Sequence, residues 1–543
     1  MSQNANQRQP LSGQHFQVAV IGGGIVGVAI ARECARAGKR TLLVEQHDFA
    51  SGSTSRSTRL VSGLRVLEQG NIGLAREMLR EKQRLLRERS HLVHPAHFLL
   101  ALRGKSTRSA LSVRTGLWLY RRLAGSATDA AGVEMERKKL EASLDAGERW
   151  SIFDYEDAQC EFPERLTAEW LGEAVAASAV ARNHTQVLAV DLAHGRARGL
   201  WLRDWISNRE EKVEATWIIN ATGAWADRLC QHSSVKTRAP MVRGVRGSHI
   251  VLSHFPGAPA IPLYSIGIDG RPLSVIPWNE QVLVGATEAE DGSDPGKVHP
   301  ALDEIEYLLR SLGQLFPRAR LSQQDIRYAF AGVRAVPRGT REDGAFARHC
   351  LHDHTSDGAA RLISVVGGTL ATATKVARDC ARKVGIRVTE PQVLAVAAGA
   401  GLDLLLDQLA AEISALAGIH DDAARAMVEW HGKRALAVAR MARSSVELRT
   451  PICPHSDHIV AEAVQAYVHE GAVKLGDVLL RRVPVALGPC WSEACSREAA
   501  LRIGAVLGWN EDAIGANLEG LEMERAAFLR RPRTEMRLRA AAD

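Results

Sequence analysis

Gln17-Val18-Ala19-Val20-Ile21-Gly22-Gly23-Gly24-Ile25-Val26-Gly27 is a short apolar run that passes straight into a glycine turn. Its Val- and Ile-rich start suits a strand buried on both faces of a parallel sheet. Gly22, Gly24 and Gly27 stand at the spacing G-x-G-x-x-G. In that pattern the first glycine permits a tight turn, the second lets backbone approach a pyrophosphate, and the third lets a helix pack against the strand. A helical pattern follows from about Ile25 to Ala37, ended by Gly38 in the manner of a C-terminal glycine. Arg40 to Val44 is a second strand that closes with Glu45. An acid there, about twenty residues past the turn, accepts hydrogen bonds from ribose hydroxyls. The unit is a Rossmann-type βαβ opening. Taken by itself the turn suits FAD or NAD, and a glycine-rich turn in another α/β domain has the same local pattern.

Outward from this unit the chain divides into regions. Residues 1–15 are polar and Gln-rich, with no apolar segment of a signal peptide, and are expected to form a disordered tail. A Ser/Thr-rich loop runs from Ser51 to Thr58, and Leu74 to Leu92 is an amphipathic helix. Strand-like runs recur at Trp217-Ile218-Ile219, His249-Ile250-Val251-Leu252, Val282-Leu283-Val284 and Leu362-Ile363-Ser364-Val365-Val366. After about residue 388 Ala, Leu and Glu dominate and strand signals fade. The expected organisation is 16–388 as a discontinuous cofactor domain with an interleaved substrate domain, 389–530 as a helical domain, and 531–543 as a basic tail. The fold class is thus mixed α/β and α+β with an added α-helical domain.

The bulk properties narrow the function. The chain has 543 residues, enough for two to four domains at roughly 100–200 residues each. A net charge of +7 is modest for this length and aromatic residues are only 5%. Neither favours nucleic acid, which needs a dense basic surface or base-stacking rings. No apolar run reaches the roughly 18 residues of a bilayer span, so the chain reads as cytoplasmic. Its eight cysteines include no C-x-x-C pair, so free thiols in a reducing compartment are expected, with no zinc site and no iron–sulfur cluster.

Further segments carry a family resemblance. Ser53-Thr54-Ser55-Arg56-Ser57-Thr58-Arg59-Leu60-Val61 and Gly63-Leu64-Arg65 resemble the segment after the second strand in FAD-dependent glycerol-3-phosphate dehydrogenases. The resemblance continues in order through Ile219-Asn220-Ala221-Thr222-Gly223-Ala224-Trp225, Arg246-Gly247-Ser248-His249-Ile250-Val251 and Val275-Ile276-Pro277-Trp278. It extends through Val284-Gly285-Ala286-Thr287-Glu288, Gly332-Val333-Arg334-Ala335-Val336 and Ser364-Val365-Val366-Gly367-Gly368-Thr369-Leu370. It ends in Leu475-Gly476-Asp477-Val478-Leu479-Leu480-Arg481-Arg482, similar to the family's D-x-L-x-R-R signature.

The resemblance implies a Rossmann-type FAD-binding domain, an antiparallel-sheet domain capping the flavin, and a C-terminal helical domain. It implies oxidation of a polyol phosphate, most simply sn-glycerol 3-phosphate to dihydroxyacetone phosphate, with electrons passed to a quinone or another acceptor. It also allows peripheral contact with the inner face of the plasma membrane, and a homodimer. The alternative is a flavin oxidase or dehydrogenase of the same superfamily acting on another hydroxylated or amino compound. A third reading is a binding module on the FAD fold.

The implied flavin contacts are Gly22, Gly24, Gly27, Glu45, Ser53, Ser55, Thr58, Gly223, Gly367 and Gly368. Arg334 and Arg65 are candidates to orient an anionic substrate, because a guanidinium fork binds phosphate bidentately. An ordinary ion-paired arginine is the competing reading. His249 is the candidate base or oxyanion-side donor, since imidazole titrates near neutrality, against a histidine satisfied within a sheet. The Ser and Thr of the loop could equally cap their own turn. Trp225 and Trp278 read as packing residues. The chain departs from the family pattern where Ser62 replaces a histidine, Val66 a tyrosine and Thr369 a lysine, and Ala373 and Thr374 stand in place of tyrosine and arginine.

Overall fold

The computed structural model describes residues 8–104, 109–124, 131–339, 348–388 and 400–530. The opening unit is β1 (His15–Ile21), α1 (Ile25–Arg36) and β2 (Thr41–Val44). β1 and β2 are parallel, with Val18 opposite Thr41 and Ile21 opposite Val44. On its other side β1 pairs in parallel with Arg209–Asn220, Ile21 facing Asn220. The first sheet runs Cys350–Asp353, Leu362–Val366, Arg209–Asn220, β1, β2, Val180–Arg182. The glycine turn therefore leaves the carboxyl end of β1 with a neighbour on each side, the switch point where open α/β sheets hold ligands. Buried Val28, Ala31 and Cys34 of α1 pack with Val376, Ala377 and Cys380 of the helix Ala373–Lys383.

The second sheet is mostly antiparallel. Its order is Ala289–Glu290, Val242–Leu252, Gln281–Gly285, Pro272–Trp278, Leu263–Ile266, His94–Arg103, Trp150–Gln159, Leu60–Val61. Ile326–Pro337 also pairs with Val242–Leu252, placing Phe330 opposite His249 and Arg334 opposite Val245. Helices from Ala400–Ala417 to Glu511–Phe528 form the C-terminal region. They bury Met427, Val428, Leu479 and Ile503 in one core with Val251, Ile276 and Leu283 of the second sheet. Each such side chain contributes about 1.5–3 kcal/mol when fully buried. The helical region is thereby fastened to the sheet that lies over the glycine turn. No helix among the described residues is long and apolar enough to cross a membrane.

Several local expectations need correction. The polar N-terminus is not loose over its whole length to residue 15. Leu11 is buried, its N–H is accepted by Glu211 at 2.8 Å, and Arg8 donates to Asn183 and to Asp204. An ion pair and a single apolar anchor hold a segment that composition alone reads as solvated. The amphipathic helix is Ile72–Glu88 rather than Leu74–Leu92; Asn71 Oδ1 caps it by accepting from Leu74 N–H at 3.0 Å. The strand His94–Arg103 gives no alternating signal, because Phe98 to Leu102 are all buried. The helical boundary at 389 and the basic tail 531–543 lie outside the described residues. Arg530, just before that tail, exchanges two 2.9 Å backbone hydrogen bonds with Ala329.

Candidate active site

The glycine turn, the Ser/Thr loop and facing strands of the second sheet enclose a cavity of about 1000 Å³, at the upper end of the range for ligand sites. Gly27 does not line it. A Cβ at Gly27 would lie 1.9 Å from the Gly22 carbonyl oxygen, so only glycine lets α1 start so close to the turn. Gly24 and Gly223 do line the cavity. A Cβ at Gly24 would meet only Thr54 Oγ1, at 3.4 Å, and one at Gly223 nothing within 4 Å. Both leave backbone open to close approach by a ligand. The start of α1 adds helix-terminal N–H groups and a partial positive charge.

Glu45 stands at the end of β2, where its carboxylate accepts from the N–H of Gly23 at 2.6 Å and of His47 at 2.9 Å. These bonds hold the acid rigidly at the cavity wall. Gly367 and Gly368, at φ +87° and +92°, turn the strand Leu362–Val366 towards the helix Ala373–Lys383 and also line the cavity. A Cβ at Gly368 would press on Val376 and Val26 at 3.1 and 3.2 Å. An open cradle beside the pyrophosphate-type turn, with an anchored acid beyond it, fits an extended dinucleotide such as FAD.

The hydroxyl loop divides its work. Thr54 Oγ1 accepts from Ile25 N–H at 3.1 Å and so caps α1, a role its sequence position did not reveal. Ser53 donates to the Val333 carbonyl at 2.6 Å, tying the loop to the strand that carries Arg334. Ser55 bonds its own loop at Gly52 O, 3.1 Å, and Thr58 Oγ1 lies 3.1 Å from His249 Nε2. Buried Arg59 pins the loop from below. It donates to both oxygens of Glu164 at 3.0 and 3.1 Å and lies 4.3 Å over the Trp278 ring.

The two candidate substrate cations meet. Arg65 Nη2 and Arg334 Nη2 donate to the same oxygen, Glu288 Oε1, at 2.8 and 3.2 Å. Burial would raise the Glu288 carboxyl, but Arg65 and Arg334 outweigh it and hold it below its usual range. All three side chains are about one-quarter exposed, at 26% for Arg65, 26% for Glu288 and 27% for Arg334. The structure thus shows both arginines ion-paired, their guanidiniums sharing one carboxylate oxygen at the cavity wall. Glu288 was quoted in the sequence only as part of a motif; nothing local marks it as the partner of both arginines.

His249 is buried, and its ring stacks on Phe330 at 5.0 Å between centroids. Burial, followed by the charges of Arg59 and Arg334, pushes its imidazole down to about 3. The ring is therefore neutral at physiological pH, with Nε2 at Thr58 and Nδ1 without a partner. The neutral form suits a hydrogen-bonding role at a reacting hydroxyl better than storage of a proton.

A further cluster was legible only as a motif. Arg482 clasps Asp48 through two bonds of 2.8 and 2.9 Å, and Arg481 Nε donates to Asp48 at 2.5 Å. Asp477 lies 3.1 Å from His184 Nε2. The Asp48 pairs join the C-terminal helices to the loop after β2, the Asp477 pair joins them to the turn after Val180–Arg182, and Arg481 and Glu524 reach the cavity wall. Asp48 is compensated by both guanidiniums, and Asp477 by Arg481 Nη2 at 3.2 Å.

Comparison with known proteins agrees with this architecture. Residues 17–354 match the profile described as FAD dependent oxidoreductase, and residues 388–514 that of the C-terminal domain of alpha-glycerophosphate oxidase. A Synechocystis protein named glycerol-3-phosphate dehydrogenase is 32% identical over 87% of this chain and 89% of its own length. The Mycobacterium tuberculosis protein named glycerol-3-phosphate dehydrogenase 2 is 30% identical over 94% of this chain and 88% of its own. The fold is similar to that of a Bacillus halodurans glycerol-3-phosphate dehydrogenase complexed with FAD, with TM-score 0.74 and 22% identity, covering 95% of this chain and 96% of that one.

Proposed function

The chain belongs to the FAD-dependent oxidoreductase family, and from that premise we propose that it oxidises the secondary alcohol of a small polyol phosphate, sn-glycerol 3-phosphate, to dihydroxyacetone phosphate, with a quinone as electron acceptor. The observation that carries the substrate is that Arg65 and Arg334 both line the cavity and converge on one carboxylate oxygen, that of Glu288. The names of the relatives point the same way. FAD, when bound, supplies the acceptor for a two-electron hydride transfer.

The residues that would hold FAD are Gly22, Gly24, Glu45, Gly223, Gly367 and Gly368, with Ser53, Ser55 and Thr58 along the hydroxyl loop and Gly27 supporting the turn. Arg65 and Arg334 would take the substrate phosphate and release part of their hold on Glu288. His249 Nε2, shared with Thr58 Oγ1, would face the substrate hydroxyl as a neutral hydrogen-bond partner. Orientation of this kind is the protein's main contribution to such a transfer. Ser62 and Thr369 stand where the resemblance has a histidine and a lysine, and the anion is assigned to Arg65 and Arg334 among the several cations at the cavity wall.

The test is anaerobic reduction of the bound flavin. Glycerol 3-phosphate should bleach it within the turnover time, and glycerol at the same concentration should not. No bleaching by glycerol 3-phosphate, with flavin bound and the protein folded, overturns the reading. Bleaching by an amino or hydroxy acid instead would move the anion at Arg65 and Arg334 from phosphate to carboxylate. A dye that accepts electrons from a quinone, set against peroxide formation in air, separates quinone from oxygen as acceptor.

A further inference from the structure

We propose that Cys453, His455, Cys490 and Cys495 form a tetrahedral binding site for a thiophilic divalent metal ion of the zinc class, separate from the flavin cavity. In the sequence these residues are two unmatched short pairs, Cys453-Pro454-His455 and Cys490 to Cys495. That spacing lacks a C-x-x-C unit. Folding supplies what spacing does not. The ligand atoms of Cys453, His455 and Cys495 all lie within 4.8 Å of one another. Cys495 Sγ is 3.5 Å from His455 Nδ1. A tetrahedral ion with bonds of about 2.3 Å to sulfur and 2.0–2.1 Å to nitrogen sets a sulfur–nitrogen edge of about 3.6 Å.

Cys490 is the fourth member. Its Sγ lies 4.0 Å from the His455 carbonyl oxygen, and its own carbonyl oxygen is 3.8 Å from Cys495 Sγ. Its side chain is exposed, so rotation about its own bonds costs no packing. Cys453 and Cys495 are buried and held by their backbones. Ser492 caps the helix Glu493–Leu507 and accepts from Cys495 N–H at 3.2 Å. The Cys453 carbonyl accepts from Ser456 N–H at 3.2 Å, and Ile452 N–H donates to His458 O at 2.8 Å. Two independently fixed segments thus present soft ligands to one point.

The donor set chooses the metal. Three thiolates and one imidazole favour zinc over magnesium or calcium, which prefer oxygen. None of the four residues lines the flavin cavity. The role is structural: the ion would fasten the loop around 450–459 to the start of the last helical pair. Each thiol loses its proton to solvent as the ion binds, so binding strengthens with rising pH.

The test uses the full-length holoprotein, purified under reducing conditions from zinc-supplemented cells. Elemental analysis should find about one zinc per chain, and C453S/C495S should retain less than about a tenth of it. Cobalt exchanged into the wild type should give the intense visible bands of tetrahedral thiolate coordination. Cys490→Ser, an exposed change that leaves the buried pair intact, should weaken zinc in a chelator competition by about tenfold or more. If the double variant does not fold, the cobalt spectrum and Cys490→Ser decide. The proposal fails if the reduced wild type takes up no zinc, if metal content is the same in the variants, or if Cys453 and Cys495 are joined by a disulfide in the protein as isolated.

Discussion

Replacing Arg334 by Gln removes one of the two cations that meet at Glu288. Its Nη2 donates to Glu288 Oε1 at 3.2 Å beside the 2.8 Å bond from Arg65, so the pair defines one anion locus and not two. A charge-assisted hydrogen bond contributes about 1.5–3 kcal/mol. If the phosphate takes this bond, its loss lowers kcat/KM for glycerol 3-phosphate about 10- to 150-fold. Glycerol, which has no anion to place, should show little change. Arg334→Lys keeps the charge without the planar fork and should lie between the two. Glu288→Gln should act in the opposite direction and lower KM, because the carboxylate competes with the substrate for both arginines. The assay is steady-state dye reduction together with anaerobic flavin bleaching, with flavin content measured for every variant. An equal loss with glycerol and glycerol 3-phosphate, or a loss below about threefold with flavin retained, refutes the anion-receptor reasoning.

Three further variants probe the turn, the buried ion pairs and the cavity histidine. Gly27→Ala places a Cβ 1.9 Å from the Gly22 carbonyl oxygen, so the turn must shift and the purified variant should be largely colourless; a fully yellow variant contradicts it. Asp48→Ala leaves Arg481 and Arg482 buried without their shared acid, and should cost about 3–5 kcal/mol of stability by denaturant unfolding. The imidazole of His249, held down at about 3 against about 6.5 when unfolded, takes up its proton in the unfolded chain first. Its penalty is absent above about pH 6.5, grows as pH falls, and levels off below about 3. At pH 5 the wild type should therefore have lost about 2 kcal/mol relative to His249→Gln, compared with the difference at pH 7.5. Parallel stability curves for the two proteins would remove His249 from this account.

The βαβ opening was legible in the sequence because its signals are local. An apolar run, a turn that tolerates no Cβ at Gly27 and a terminal acid at Glu45 each act within a few residues of chain, and their order already implies a dinucleotide site. The strand His94–Arg103 was hidden for the opposite reason: its buried residues leave no alternation to read. Arg65 and Arg334 could be named as candidates, yet their shared partner Glu288 depends on strand register in the second sheet. The grip of Arg481 and Arg482 on Asp48, and the meeting of Cys453 and His455 with Cys490 and Cys495, depend on how the helical region seats itself. Local periodicity and turn chemistry are written into neighbouring residues. Which distant charges and ligands come to share one point is decided only when packing closes the chain.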